Sequence, residues 1–228
     1  SFDNLALSRD DNNLIIGYPG EGQVVVLDYY TNGIARAKHV MVGEESKVLE
    51  TFVNEYEAAH GALAIRVTGY REGTPGNDTF VADGPVEINA GAGNDTLYGS
   101  NDVDILRGQD GDDIINPGLG DDHIDGGYGH NTINISLNDG YFGNKTVYPN
   151  MGADALSGET LSIKLTGEVA NELTRTTQID GNNLVITIKD GDNEKGKITV
   201  NNFLNIDQTK LGELKLFKPD DSLLLDMT

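Results

Sequence analysis

The sequence predicts an all-β chain whose middle winds as a right-handed parallel coil between two small β-strand units, with one short helix in the N-terminal unit. Three observations predict it. Residues 73–134 repeat glycine and aspartate at a nine-residue beat, as in GQDGDDIIN (108–116). Single large apolar residues recur through that stretch at Phe80, Ile88, Leu97, Leu106, Ile115, Ile124 and Ile133, at intervals of 8, 9, 9, 9, 9 and 9. The flanks carry short apolar or alternating runs ended by glycine, asparagine and proline, the pattern of strands and turns.

The N-terminal flank, residues 1–72, holds three strand-like runs, LIIGY, QVVVLDYY and LAIRVTGY. Between the second and third lies SKVLETFVNEYEAAH, in which Leu49, Phe52, Val53, Tyr56 and Ala59 share one face at the helical period. Residues 135–228 return to strands and turns, as in NNLVITIKDGDNEKGKITVNNFL. The two flanks resemble each other. DDNNLIIGYPGEGQVVVLDYY and IDGNNLVITIKDGDNEKGKITVNNFL share an Asn-Asn-Leu entry, an apolar strand, a glycine-containing turn and a second apolar strand. They read as two copies of one small β unit bordering the repeat.

Within the coil the beat has the form G-G-x-G-x-D-x-U-x, where U is a large apolar residue. GTPGNDTFV (73–81), AGAGNDTLY (90–98), GSNDVDILR (99–107), GQDGDDIIN (108–116), PGLGDDHID (117–125) and GGYGHNTIN (126–134) follow it, while ADGPVEIN (82–89) is short and degenerate. Glycine permits the tight turns that open each beat. The apolar residue and its neighbours make a strand of about three residues, with one side chain inward. Successive beats then alternate between two parallel sheets, and beats n and n+2 stack on one edge. That places Asp78, Asp95, Asp113 and then Asn131 in one column, with Asp104 and Asp122 in the other.

Such a coil lacks the means to hold itself together. Each beat offers one large apolar side chain against nine residues of backbone to be ordered, at about 1–2 kcal/mol apiece. Stacked carboxylates add repulsion, about 4 kcal/mol for a pair at 4 Å in an effective dielectric of 20. The whole chain has 37 acidic and 16 basic side chains among 228 residues, a formal net charge of -21. That balance excludes nucleic acid, whose binders need a basic face, and an anionic membrane surface. It suits a chain that awaits cations. Calcium accepts six to eight oxygens, carboxylate and carbonyl alike, in flexible geometry, whereas magnesium keeps its waters and zinc prefers imidazole or thiolate. The four histidines are scattered, and His123 and His130 fall at variable positions of the beat.

These beats resemble the calcium-binding nonapeptides of RTX (repeats-in-toxin) proteins, exported by Gram-negative bacteria through type I secretion. The resemblance implies a parallel β-roll with each calcium shared between loops n and n+2. It also implies ligands from the second, fourth and sixth positions of one loop and the first, third and sixth of the loop one turn on. Carried over, one site would use Thr74, Gly76 and Asp78 with Ala90, Ala92 and Asp95. A second would use Gly91, Gly93 and Asp95 with Gly108, Asp110 and Asp113. On the opposite edge Ser100, Asp102 and Asp104 would face Pro117, Leu119 and Asp122. A fourth, weaker site would join Gln109, Gly111 and Asp113 to Gly126, Tyr128 and Asn131, where asparagine keeps an oxygen but loses a charge. About four Ca2+ ions are therefore expected.

The expected function is non-enzymatic: a calcium-dependent folding and secretion-assisting module of a larger exported toxin or adhesin, secreted or held at the cell surface. Its expected partners are the type I secretion apparatus, met unfolded, and a host-cell surface. A calcium-stiffened ligand-binding segment is the alternative, with DGYFGNKTVYPN (139–150) as its contact loop. Other chemistries find little support. The chain has no cysteine, which excludes disulfides and thiolate sites. No apolar run approaches the ~18 residues of a membrane helix, and SFDNLALSRD has neither the form of a cleavable leader nor a starting methionine, so a fragment of something larger is expected. GDNEKGKI (191–198) imitates a phosphate-binding loop but runs into a strand where a helix is needed. No serine, zinc-protease or cysteine nucleophile motif occurs, no Asp-Pro bond is present for self-cleavage, and no catalytic residue is assigned. KPDDSLLLDMT fits both an uncleaved C-terminal export signal and an ordinary chain end.

Overall fold

A computed structural model describes residues 5–10, 13–18, 22–26, 39–42, 45–60, 63–137, 140–148, 160–167, 173–205, 213–219 and 222–226. It divides into two units, Ser1–Val67 and Thr68–Thr228.

The first unit is built on an antiparallel meander of β1 (Ala6–Asp10), β2 (Asn13–Tyr18) and β3 (Gly22–Val26). A hairpin of β4 (His39–Val42) and β5 (Glu45–Val48) precedes α1 (Leu49–His60). The strand β6 (Ile65–Glu72) begins parallel to β1, with Arg9 opposite Ile65. Leu7, Leu14, Ile16, Phe52, Val53 and Leu63 form the core, with Leu5 and Tyr56 packed on it. Phe52, Val53 and Tyr56 thus use the helical face that the periodicity defines, whereas Ala59, in the last turn, is exposed. The Leu49 side chain and the rest of the QVVVLDYY run beyond Val26 lie outside the described residues.

The second unit is a parallel β-roll that passes into wider sheets. Its first strand, β7 (Thr79–Ala92), is 14 residues long and crosses from one sheet to the other without a turn. It contains the degenerate beat 82–89, which lacks the paired glycines and the aspartate that would have turned it. Then come β8 (Thr96–Tyr98), β9 (Ile105–Asp110), β10 (Ile114–Asn116), β11 (His123–Asp125) and β12 (His130–Ser136), alternating between the two sheets. In one sheet Phe80, Leu97, Ile115 and Ile133 stand in register; in the other, Ile88, Leu106 and Ile124. All seven are fully buried. A core one side chain wide is what three-residue strands with a two-residue side-chain period can supply.

The stacking continues beyond residue 134. The strand β13 (Asn144–Tyr148) lies parallel on β11, with Val147 opposite Ile124, and is followed by β14 (Thr160–Thr166), parallel on β12. A second antiparallel meander follows, β15 (Leu173–Asp180), β16 (Asn183–Asp190) and β17 (Asn193–Val200), the last also parallel to β13. The flank repeat seen in the sequence thus corresponds to two three-stranded meanders, Asn13 and Asn183 each opening the middle strand. The GDNEKGKI segment forms the β16–β17 turn and runs on as the strand β17. Finally β18 (Glu213–Phe217) adds to β14 and folds back on β19 (Leu223–Asp226), which takes in part of KPDDSLLLDMT; Asp220, Asp221, Met227 and Thr228 lie outside the described residues. The core broadens here. Leu161, Ile163 and Leu165 are buried on one strand, Ile198 and Val200 on another.

Candidate metal centre

Each loop of the roll delivers its sixth residue to an edge column, and the columns are those the nine-residue beat implies. Asp78, Asp95, Asp113 and Asn131 stack on one edge. Val86, Asp104 and Asp122 stack on the other. All five aspartates are at most 6% exposed, which takes their carboxylates out of bulk water. After the residue that heads each column, Asp78 on one edge and Val86 on the other, each column residue accepts, through Oδ1, the backbone N–H of the residue one coil before it. The distances are 2.6 Å from Asp78 to Asp95, 2.8 Å from Asp95 to Asp113 and 2.9 Å from Asp113 to Asn131. On the other edge Val86 donates to Asp104 and Asp104 to Asp122, both at 2.9 Å. Buried N–H groups must find partners, and here the side chains of the next coil provide them.

The second carboxylate oxygen has three fates. Asp78 Oδ2 accepts from the N–H and hydroxyl of Thr74, at 2.7 and 2.8 Å. Asp104 Oδ2 accepts from the N–H and hydroxyl of Ser100, at 2.6 and 3.0 Å. Asp122 Oδ2 meets Lys145 Nζ at 2.5 Å. Asp95 Oδ2 and Asp113 Oδ2, both in mid-column, are buried and have no partner. At the end of that column the amide of Asn131 removes the need: Nδ2 donates to Gly127 O at 3.1 Å where a carboxylate would present a bare oxygen.

The orphaned oxygens define what the centre can hold. Burial lifts the Asp95 carboxyl to about 7, against the hydrogen bond from Asp78, with the charges of Asp113 and Asp78 adding to the rise. Burial likewise lifts Asp113 to about 6, against the hydrogen bond from Asp95. A carboxylate that accepts one hydrogen bond and leaves a buried oxygen bare calls for a proton or a metal cation. Among the described residues no three His, Cys, Asp or Glu side chains gather in a metal-sized group. An all-oxygen centre made mostly of backbone carbonyls needs none, and it suits a hard cation such as calcium.

The loops named for the four sites lie against each other in pairs. Loops 73–76 and 90–93 meet where Gly73 N donates to Asn89 O at 2.8 Å and where a Cβ on Gly93 would stand 2.9 Å from Gly76 O. This brings Thr74, Gly76 and Asp78 beside Ala90, Ala92 and Asp95. Gly93 N donates to Asp110 O at 2.8 Å, and Gly91 pairs with Gln109, which brings Gly91 and Gly93 onto Gly108 and Asp110. On the other edge Leu119 N donates to Ser100 O at 3.1 Å and Gly99 N to Asn116 O at 2.8 Å, which stacks Ser100 and Asp102 on Pro117 and Leu119. In the fourth pair Tyr128 N donates to Gln109 O at 2.6 Å and Gly111 N to Tyr128 O at 3.1 Å, with Gly126 at the loop's start. Each hydrogen-bonded carbonyl retains a second lone pair. Glycine is required for this approach: at Gly118, φ is +77° and a Cβ would drive into Ser100 O.

Residues 140–148 form a further beat that the sequence reading passes over. In GYFGNKTVY, Val147 takes the apolar position and Lys145 the place of the aspartate. Asn144 N donates to Asp121 Oδ1 at 2.9 Å, repeating the fifth-position bonds of Asn94 to Asn77, Asp112 to Asn94 and His130 to Asp112. Phe142, half of the aromatic pair in the expected contact loop, is fully buried, while Tyr141 is 51% exposed. Asp139, Pro149 and Asn150 of that loop lie outside the described residues.

Fold and site together define a parallel β-roll of glycine–aspartate loops with buried carboxylate columns, a calcium-binding architecture. A family model, the RTX calcium-binding nonapeptide repeat, matches residues 87–115 and 108–134, and the chain carries an RTX repeat block. A search of curated proteins gives no match.

The raised carboxyls imply a pH dependence. Asp95 and Asp113 hold protons more tightly in the folded roll than in the unfolded chain, where aspartate titrates near about 3.9. Their protonated forms therefore support the metal-free roll below about pH 4, and this support is lost as pH rises through about 6 and 7. Metal binding needs the carboxylates, so protons compete for the same oxygens. Half-saturating calcium is expected to rise as pH falls from 8 to 6, while the chelated chain gains β structure as pH falls from 7 toward 4. Far-UV circular dichroism reads both; equal calcium midpoints at pH 8 and pH 6 would contradict the assignment.

Proposed function

We propose that this chain is a calcium-dependent folding module of a larger exported protein of the toxin or adhesin kind, non-enzymatic, and unfolded where calcium is scarce. The observation that carries the reading is the pair of buried, partnerless carboxylate oxygens on Asp95 and Asp113. When bound, calcium supplies the positive charge and the coordination that these oxygens lack. The chain's own residues do the rest. Glycine turns bring carbonyls of adjacent loops face to face, the column carboxylates hold the backbone of the preceding coil, and the buried anchors fix the spacing.

Inside a bacterium, where calcium is scarce, carboxylate repulsion and a core one residue wide keep the repeat open. That is the state a type I secretion channel requires. Outside, extracellular calcium modules bind at about 10⁻⁴–10⁻³ M, and binding free energy becomes folding free energy. A Gram-negative source and release from the cell, or display on its surface, follow from the same reading. No helix among the described residues is long and apolar enough to cross a membrane.

Calcium titration of the chelated chain tests the proposal. A cooperative gain of β signal in far-UV circular dichroism is expected in the submillimolar to millimolar range. A repeat block already ordered in excess chelator at pH 8, by hydrogen exchange at Leu106, Ile115 and Ile124, would overturn it.

A further inference from the structure

The last step of the Asp104–Asp122 column holds a cation that belongs to the chain. Lys145 is fully buried, and its Nζ contacts two oxygens: Gly120 O at 2.8 Å and Asp122 Oδ2 at 2.5 Å. Strand register makes the step from Asp122 to Lys145 equivalent to that from Asp95 to Asp113. The oxygen that Lys145 meets on Asp122 is therefore the counterpart of the two that stand bare on the other edge. The second partner is a loop carbonyl, the other kind of donor an oxygen-rich metal site employs. Beyond Lys145 the column turns aliphatic, with Ile198 next in register.

We infer that the Lys145 ammonium takes the place of a metal ion between loops 117–122 and 140–145, closing that column so that no calcium enters there. This rests on the calcium reading above and adds to it the residue that sets where ion uptake stops. An ammonium brings one charge and three N–H donors, enough for one carboxylate and one carbonyl. The fixed side chain needs no ion from solution, so the last coil of the roll is neutralised at any calcium concentration. The other column ends in a different way, on the Asn131 amide, which removes a charge rather than matching it.

The full chain and two variants, Lys145→Asn and Lys145→Asp, test the inference by counting calcium at saturation with equilibrium dialysis, folding being followed by circular dichroism. Either variant frees Asp122 Oδ2 and Gly120 O. Each is expected to bind one more calcium per chain than the wild type and to need roughly tenfold more calcium to reach half-folding. A variant that folds with the wild-type count overturns the inference. Failure of both variants to fold at any calcium concentration overturns it as well, because a metal ion would then be unable to replace the ammonium. Absence of calcium binding by the wild type is a separate result and removes the calcium reading itself.

Discussion

Asp113→Ala is expected to raise the calcium needed for half-folding by roughly tenfold or more. Two losses combine at this position. Oδ1 accepts the buried N–H of Asp95 at 2.8 Å, so truncation strands a donor inside the roll. Oδ2 is one of the two bare oxygens, so truncation also removes a candidate metal ligand from the two sites that would share it. Hydrogen bonds to charged groups contribute about 1.5–3 kcal/mol, and 1.4 kcal/mol is a factor of ten in an equilibrium constant. Asp112→Ala is the control. It removes the same formal charge next door, from an exposed side chain whose bond to His130 N lies on the outer rim, so its midpoint should shift little. Equal midpoints for the two variants in a circular dichroism titration would show that only net charge matters and would remove the mid-column site.

Gly118→Ala is expected to prevent folding at calcium concentrations that fold the wild type. The left-handed backbone at this residue costs an alanine about 1–2 kcal/mol. More is lost because the new Cβ drives into Ser100 O, a backbone atom of the loop one coil earlier that cannot swing aside. Coils 99–107 and 117–125 would then have to part. Gly140→Ala separates the two costs, since Gly140 has φ of +88° with nothing within 4 Å of an added Cβ. It should cost only the backbone strain and leave folding in calcium intact. Were Gly118→Ala no worse than Gly140→Ala, the close stacking of loops would not matter to folding.

Much of the roll was legible because its rule is local and periodic. A strict nine-residue spacing of one apolar side chain dictates which residues share a column, and the registers from Phe80 to Ile133 follow it. The sixth-position aspartates were legible for the same reason. The coil at 140–148 was not, because residues 135–139 interrupt the count and lysine stands where aspartate is expected. Its remaining signal was a glycine pair three apart, Gly140 and Gly143, followed by an apolar Val147. Phe142 shows a second limit. An aromatic beside glycines looked like a surface contact, yet the widened core beyond Lys145 has room for it, and it is buried. The distinct fates of the Oδ2 atoms were also hidden. They depend on whether the residue four places before an aspartate carries a hydroxyl, as Thr74 and Ser100 do while Gly91 and Gln109 do not.

The strand β7 crosses between the sheets without a turn, so the second column starts a coil late, with Val86 where an acid would sit. The two sides of the roll are therefore unequally charged. One carries three aspartates closed by a neutral amide; the other carries two, and a lysine offsets one of them. Both bare oxygens fall on the first side. The roll is like a bound book whose fore-edge is held by fastenings woven into the paper, while its spine still presents bare holes for a thread.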